Sequence, residues 1–205
     1  MDSYTTLRNE GCSRFEDRKS VFLGYARPVS SEDEALAFIE AIRKKYPDAR
    51  HHVYAYSLRD NSITRFSDDR EPQGTAGLPV LDSLRRSDIK DAVVVVVRYF
   101  GGTLLGTGGL VRAYSAAASD AVRDAEVIVY DMYSCLDITV SYSDHGRIAA
   151  LLEERGFRIE DTVYDECVTL CGKILCRDEE PFVKALVDIT CGRCKIKKKE
   201  EKFDF

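Results

Sequence analysis

At 205 residues with 44% hydrophobic side chains, the chain has room for one large domain or two small ones, and its composition excludes disorder on a large scale. A net charge of −5 excludes a surface coated in cations, so any contact with nucleic acid has to come from a local patch. No apolar run approaches the roughly 20 residues of a membrane helix, and the opening MDSYTTLRNEG has no basic region followed by an apolar core, so a cytoplasmic protein with no membrane partner is expected.

In chain order, residues 4–7 and 20–28 are predicted as two strands of a hairpin turning at residues 9–11. Ser31 with Glu34 forms a capping box, and Ala35, Phe38, Ile39 and Ile42 recur at helical spacing until Pro47 blocks continuation. In residues 51–58 the alternation predicts a strand whose Tyr54, Tyr56 and Leu58 face the core. His52 shares their parity, and is either satisfied at the edge of the core or pointed into a site.

Residues 67–84, SDDREPQGTAGLPVLDSL, place Asp68, Asp69 and Glu71 within four positions, ahead of a turn at Pro72 to Gly74 and a helix start at Thr75, with Gly77 following in the same glycine loop. Such a cluster can hold magnesium, position a basic partner or work as acid and base; as a plain charge run it is a solvated loop. If Asp69 and Glu71 orient Arg98 or a metal, replacing both by Asn and Gln is expected to remove binding and leave stability nearly untouched.

Residues 93–97 are five consecutive valines, which suit a central strand covered on both faces. Arg98 and Tyr99 end it, and a loop with Gly101, Gly102, Gly106, Gly108 and Gly109 precedes a helix predicted over residues 110–125, with Arg112 in its first turn. Free amides at a helix start suit an anion, whereas glycines alone also make a tight turn. The spacing is not that of a P-loop, since Leu110 stands where the lysine would be.

Beyond residue 132 the pattern restarts. Leu136, Ile138, Val140 and Tyr142 alternate with polar residues, and Ser143 or Asp144 is placed as the cap of a helix ending at Gly156. Strands at residues 159–165 and 167–176, a helix carrying Phe182 and Leu186, and a last strand at residues 195–202 complete a ferredoxin-like βαββαβ order. The open sheet face would carry Asp137, Thr139, Ser141, Thr169 and Lys173, without the aromatics on which RNA-binding sheets stack bases. Lys195, Lys197, Lys198 and Lys199 either touch phosphate or guard an edge strand. Of seven cysteines, six lie beyond residue 130; Cys191 and Cys194 have ligand spacing, but one CxxC pair is weak beside reduced thiols, with Cys176 expected in the core. No metal or cofactor is assigned.

The two motifs SDDREPQGTAGLPVLDSL and VVVRYFGGTLLGTGGLVRAYS, with the upstream PDARHHVYAY and RKSVF, resemble the IMPACT/YigZ family. The resemblance departs at Arg70, where the family commonly has glycine, and at Val21, where it usually has arginine. It implies an α+β protein of two domains: residues 1–132 as a split βαβ domain like that of a ribosomal protein and elongation factor G domain four, and residues 133–205 as a ferredoxin-like domain similar to domain five of that factor. The boundary is expected near residues 130–135. It also implies a link to translation: eukaryotic members restrain the kinase that senses uncharged tRNA, through a domain not seen in this chain, so that specific role is not expected to transfer.

Two function classes follow. One is a non-enzymatic regulator whose glycine loops, with His52, Asp69, Glu71, Arg98, Tyr99 and Arg112, bind RNA, the ribosome or a protein partner in translation, with no catalytic residues. The other is an enzyme on a small phosphorylated or nucleotide substrate, with a metal held by the acidic loop.

Overall fold

The computed structural model describes residues 3–59 and 62–205, which pack into two compact units, residues 4–129 and residues 130–205 with Ser3. Each is α+β.

The first unit opens with β1 (Ser3–Leu7), followed by β2 (Gly11–Asp17) and β3 (Ser20–Pro28). The hairpin expected between residues 4–7 and 20–28 is instead β2 with β3, with Asp17 opposite Ser20 and a two-residue turn at Arg18 and Lys19. Both turn residues are left-handed, φ 47° and 66°, as a turn matched to strand twist requires. Without glycine or asparagine there, the turn carries no local signal in the residues that make it. β1 lies outside this sheet, its Thr5 carbonyl accepting the Lys90 amide at 2.8 Å.

The sheet continues through α1 (Glu32–Lys45), β4 (His51–Ser57), β5 (Thr64–Ser67), α2 (Gly77–Arg85), β6 (Ala92–Tyr99) and α3 (Gly106–Asp124). Its order is β2-β3-β6-β4-β5. β6 pairs antiparallel with both β3 and β4, so those two run parallel around it, the split βαβ arrangement with α1 as crossover. The valine run is central, and its two faces enter different cores. Val94 and Val96 pack under α2 and α3, while Val93, Val95 and Val97 pack against Phe38, Ile39 and Ile42 of α1. Ser31 caps α1, its Oγ accepting the Glu34 amide at 3.2 Å. β4 is likewise buried on both sides, which corrects the one-faced reading of its alternation: Val53 and Ala55 are as buried as Tyr56 and Leu58.

α3 lies close on β2 and β3 through Ala113, Ala117 and Ala121. A Cβ at Gly24 would stand 2.5 Å from the Ala117 carbonyl oxygen, so only glycine admits the helix at that distance.

The second unit comprises β7 (Val127–Val140), α4 (Tyr142–Glu154), β8 (Arg158–Tyr164), β9 (Val168–Leu175), α5 (Glu179–Ile189) and β10 (Lys195–Asp204). The strand order β10-β7-β9-β8 is ferredoxin-like. Leu136, Ile138, Val140, Leu170 and Ile174 meet Ile148, Leu152, Phe182 and Leu186 of the helices in one core. Three local expectations change. Tyr142 is the first residue of α4, 56% exposed, instead of a core position on the strand. Ser141 caps that helix in place of Ser143 or Asp144, its Oγ accepting the Asp144 amide at 3.2 Å. Cys176 leaves the strand for a 3-10 turn, beside the Ser134 hydroxyl. On the open face Thr139 bonds Thr169, Lys199 pairs with Asp137 at 2.8 Å, and Lys173 pairs with Asp204 at 2.6 Å. Lys198 pairs with Glu179 and Glu201, so two of the four lysines singled out in β10 are engaged within the unit.

Candidate functional site

The site grows from the end of the valine strand. Arg98 continues the parity of Val94 and Val96, so its side chain enters the face covered by α2 and α3, with Phe22 and His51 opposite it on the neighbouring strands. It is only 5% exposed. A buried guanidinium needs a partner, and Glu71 supplies one: Arg98 Nη1 donates to Glu71 Oε1 at 2.5 Å. The same oxygen accepts the Tyr114 hydroxyl of α3 at 2.8 Å, and His51 Nε2 stands 3.7 Å away. Burial and the neighbouring Glu71 push the Tyr114 phenol far above its ordinary value, so it donates at any physiological pH. Glu71 therefore ties β6, β4 and α3 together as a buried group. It is not the surface group that a substitution without loss of stability requires, since removing it would strand Arg98.

The acidic loop is held by its own carboxylates. Asp68 accepts the amides of Gly74, Ala76 and Gly77 at 2.9, 3.0 and 2.8 Å, which fills the start of α2 with an internal anion. Asp69 accepts the backbone amide of His52 at 2.6 Å, and its carbonyl accepts from His51 Nδ1 at 2.8 Å. A carbonyl can only accept, so Nδ1 of His51 carries the hydrogen. Asp69 and Arg70 are both left-handed, φ 41° and 71°. The backbone geometry that suits glycine at position 70 is thus kept with arginine in place, at a cost of about 1–2 kcal/mol.

α3 begins differently. Leu105 occupies the cap position and no side chain caps the helix; Gly106 enters it at φ 71°. The helix starts four residues before the predicted position, so Gly106, Gly108 and Gly109 belong to its first turn. That start opens on a cavity of about 620 Å³ lined by Arg50, His51, Arg70, Glu71, Pro72 and Arg98, with Phe100, Leu104, Leu105, Gly106, Thr107 and Leu110 opposite. Arg50 and Arg70 are exposed at it and form no salt bridge among the described residues. Arg98 Nη1 is taken by Glu71, and Nε is buried with no hydrogen-bond partner. Its guanidinium lies 5.7 Å from the centre of the Phe100 ring.

Of the residues singled out from the sequence, Glu71, Arg98 and Gly106 line this cavity. His52 does not; its Nε2 donates to the Tyr46 carbonyl at 2.9 Å, so it is the satisfied histidine at the edge of a core. Asp69, Gly74, Thr75 and Gly77 shape the loop and the start of α2, and Thr75 is buried with its hydroxyl on the Pro72 carbonyl. Tyr99 points to the other face, donating to Asp48 at 2.9 Å. Gly101 is packed on Lys19 and Ser20, where a Cβ would meet backbone at 2.1 Å; Gly102 is left-handed at φ 84°. Gly108, Gly109 and Arg112 lie further along α3, outside the lining. The two glycine loops therefore do not form one shared anion surface: the first is closed by Asp68.

Sequence reasoning missed Arg50, His51, Arg70, Phe100 and Leu104. The available signal was Arg98 itself, since a charged residue in line with buried valines demands neighbours on the same face; which neighbour it meets is set by the register with β4. Among the described residues no three of His, Cys, Asp and Glu stand together as a metal-holding group, and none of the helices is long and apolar enough to cross a membrane.

Residues 18–122 match the model of the Impact N-terminal domain, and residues 138–193 match a domain of unknown function, DUF1949. The chain is similar to IMPACT family member YvyE of Bacillus subtilis, 33% identical over 98% of this chain and 93% of that protein. It is also similar to IMPACT family member YigZ of Escherichia coli, 34% identical over 91% of this chain and 93% of that one. A crystal structure described as that of an hypothetical protein matches 98% of this chain and 100% of its own length, with a TM-score of 0.61 at 33% identity.

Proposed function

The chain belongs to the IMPACT family, and from that premise we propose that it is a non-enzymatic, translation-associated regulator that binds RNA or the ribosome through the cleft at the start of α3. One observation carries this reading: a helix start without a capping side chain faces a cavity bearing three arginines and one carboxylate. Amides at a helix start and cations placed together attract phosphate irrespective of sequence. The overall charge of −5 keeps such binding local and salt-dependent.

Binding to ribosomes and to mixed RNA across a salt series tests it. Arg50→Ala and Arg70→Ala each lower the salt slope by about one, while Arg112→Ala, outside the cleft, changes little. No binding at low salt rejects the reading. Capture of a partner that survives RNase and ignores salt replaces RNA with a protein.

A second reading, an enzyme on a small phosphorylated substrate, is favoured by the volume of the cavity. Small-ligand sites occupy roughly 300–1,000 Å³, and this one is about 620 Å³. The acidic loop does not serve it as a metal site, since Asp68 is spent on α2 and Glu71 on Arg98. Turnover of a phosphorylated metabolite by the purified protein would establish this reading against the first.

A further inference from the structure

A phosphate track on a protein surface needs amides and cations; it does not need apolar depth. This cavity has both. Beside its arginines stand Pro72, Phe100, Leu104 and Leu110, and two of these are left exposed by folding: Phe100 at 42% and Leu104 at 81%. Large apolar side chains at the mouth of a charged cleft suit a ligand with a planar apolar body joined to an anion.

We propose that the cavity is a single-nucleotide pocket, taking one nucleoside monophosphate unit with its phosphate at the start of α3 and its base against Phe100. This deepens, and rests on, the RNA-binding reading above. The phosphate end has two independent supports. One is the uncapped start at Gly106 and Thr107. The other is Arg98, 5% exposed, which lines the cavity and brings a positive charge to it while its Nη1 is held by Glu71. Arg70, carried to the cavity by a left-handed backbone, adds an exposed cation at the rim. Phe100 offers an apolar ring to the same cavity, with the Arg98 guanidinium 5.7 Å from its centre. A base inside a duplex is paired and stacked and cannot enter such a pocket; an unpaired one can.

The same chemistry is presented by a free nucleotide and by a single-stranded RNA, so the test has an arm for each. Binding of adenosine, guanosine, cytidine and uridine monophosphates, of inorganic phosphate, of a short single-stranded RNA and of the matching blunt duplex is measured by calorimetry at low salt. The expected result is that single-stranded RNA binds better than duplex. Phe100→Ala is expected to weaken the single strand and the monophosphates by roughly tenfold, leaving phosphate unchanged. Because Phe100 is 42% exposed, the variant folds, which an unchanged unfolding curve checks. Monophosphate binding that depends on Phe100, with no RNA binding, supports the pocket as a free-nucleotide site and rejects the RNA reading. Equal binding of single strand and duplex, insensitive to Phe100→Ala but weakened by Arg70→Ala, overturns the pocket and leaves the RNA reading standing. Inorganic phosphate competing as well as the monophosphates also overturns it.

Discussion

The starts of α2 and α3 are made from similar material, a run of glycine, threonine and small apolar residues entering a helix of the same face, yet they end in opposite states. At α2 the Asp68 carboxylate takes three backbone amides at 2.8–3.0 Å. At α3 the cap position holds Leu105, whose side chain accepts nothing. A helix start is a set of unpaired donors with partial positive charge, and it is completed either by the chain or by something else. The difference separates a glycine-rich turn that is structural from one that is available to a ligand.

The comparison breaks most severely at Glu71, the carboxylate of the same loop that goes to Arg98 instead of to a helix. Glu71→Ala leaves a buried guanidinium unpaired and is expected to cost about 3–5 kcal/mol, read as a lowered midpoint in denaturant unfolding. A variant as stable as the natural protein would show that Arg98 is solvated and that the cleft is looser than described.

Next comes the internal anion itself. Asp68→Ala strips α2 of its cap and should cost about 2 kcal/mol, while leaving the affinity of the α3 cleft for phosphate within error. If phosphate affinity fell along with stability, the two helix starts would be one site after all.

Arg70→Gly relieves a left-handed arginine. Thermal unfolding should show a gain of about 1 kcal/mol in stability, and RNA binding should weaken together with its salt slope. Stability gained without loss of binding would remove Arg70 from the site.

Thr107→Asp makes α3 resemble α2 by giving it a carboxylate in the first turn. It should add about 0.3–1 kcal/mol to stability through the helix dipole and reduce anion binding by repulsion. Unchanged binding would mean that the ligand does not use these amides.

The smallest effect lies at α4, a third start that the chain completes itself. Bonding to Arg193, with help from Ser141 and Arg147, holds the Asp144 carboxyl at about 2, below its ordinary 3.8. Its contribution is therefore present in full above 3.8 and is lost as the pH falls through about 2. An NMR titration of Asp144 should follow this window, and Asp144→Asn should flatten the acid limb of the unfolding curve. A midpoint near 3.8 would mean that the Arg193 contact is not held in solution.

The amino-acid sequence alone determined what depends on neighbours along the chain. Residues 93–97 are apolar at every position, so that strand had to be covered on both faces, and it is. Ser31 and Glu34 fixed the start of α1, and Gly156, left-handed at φ 70°, fixed the end of α4. The βαββαβ order of the second unit was readable because each helix keeps one apolar stripe. Tertiary structure alone decided which histidine meets Arg98 and which glycine loop stays open. His51 and His52 sit on a strand buried on both sides, so alternation does not distinguish an inside from an outside there. Only the register with β6 puts His51 beside the guanidinium. Likewise Asp68, Asp69 and Glu71 read alike in a loop, but their partners lie up to 43 residues away in sequence, at Tyr114. Hydrogen bonds of that kind are set by how the loop crosses the sheet, and no local propensity encodes that path.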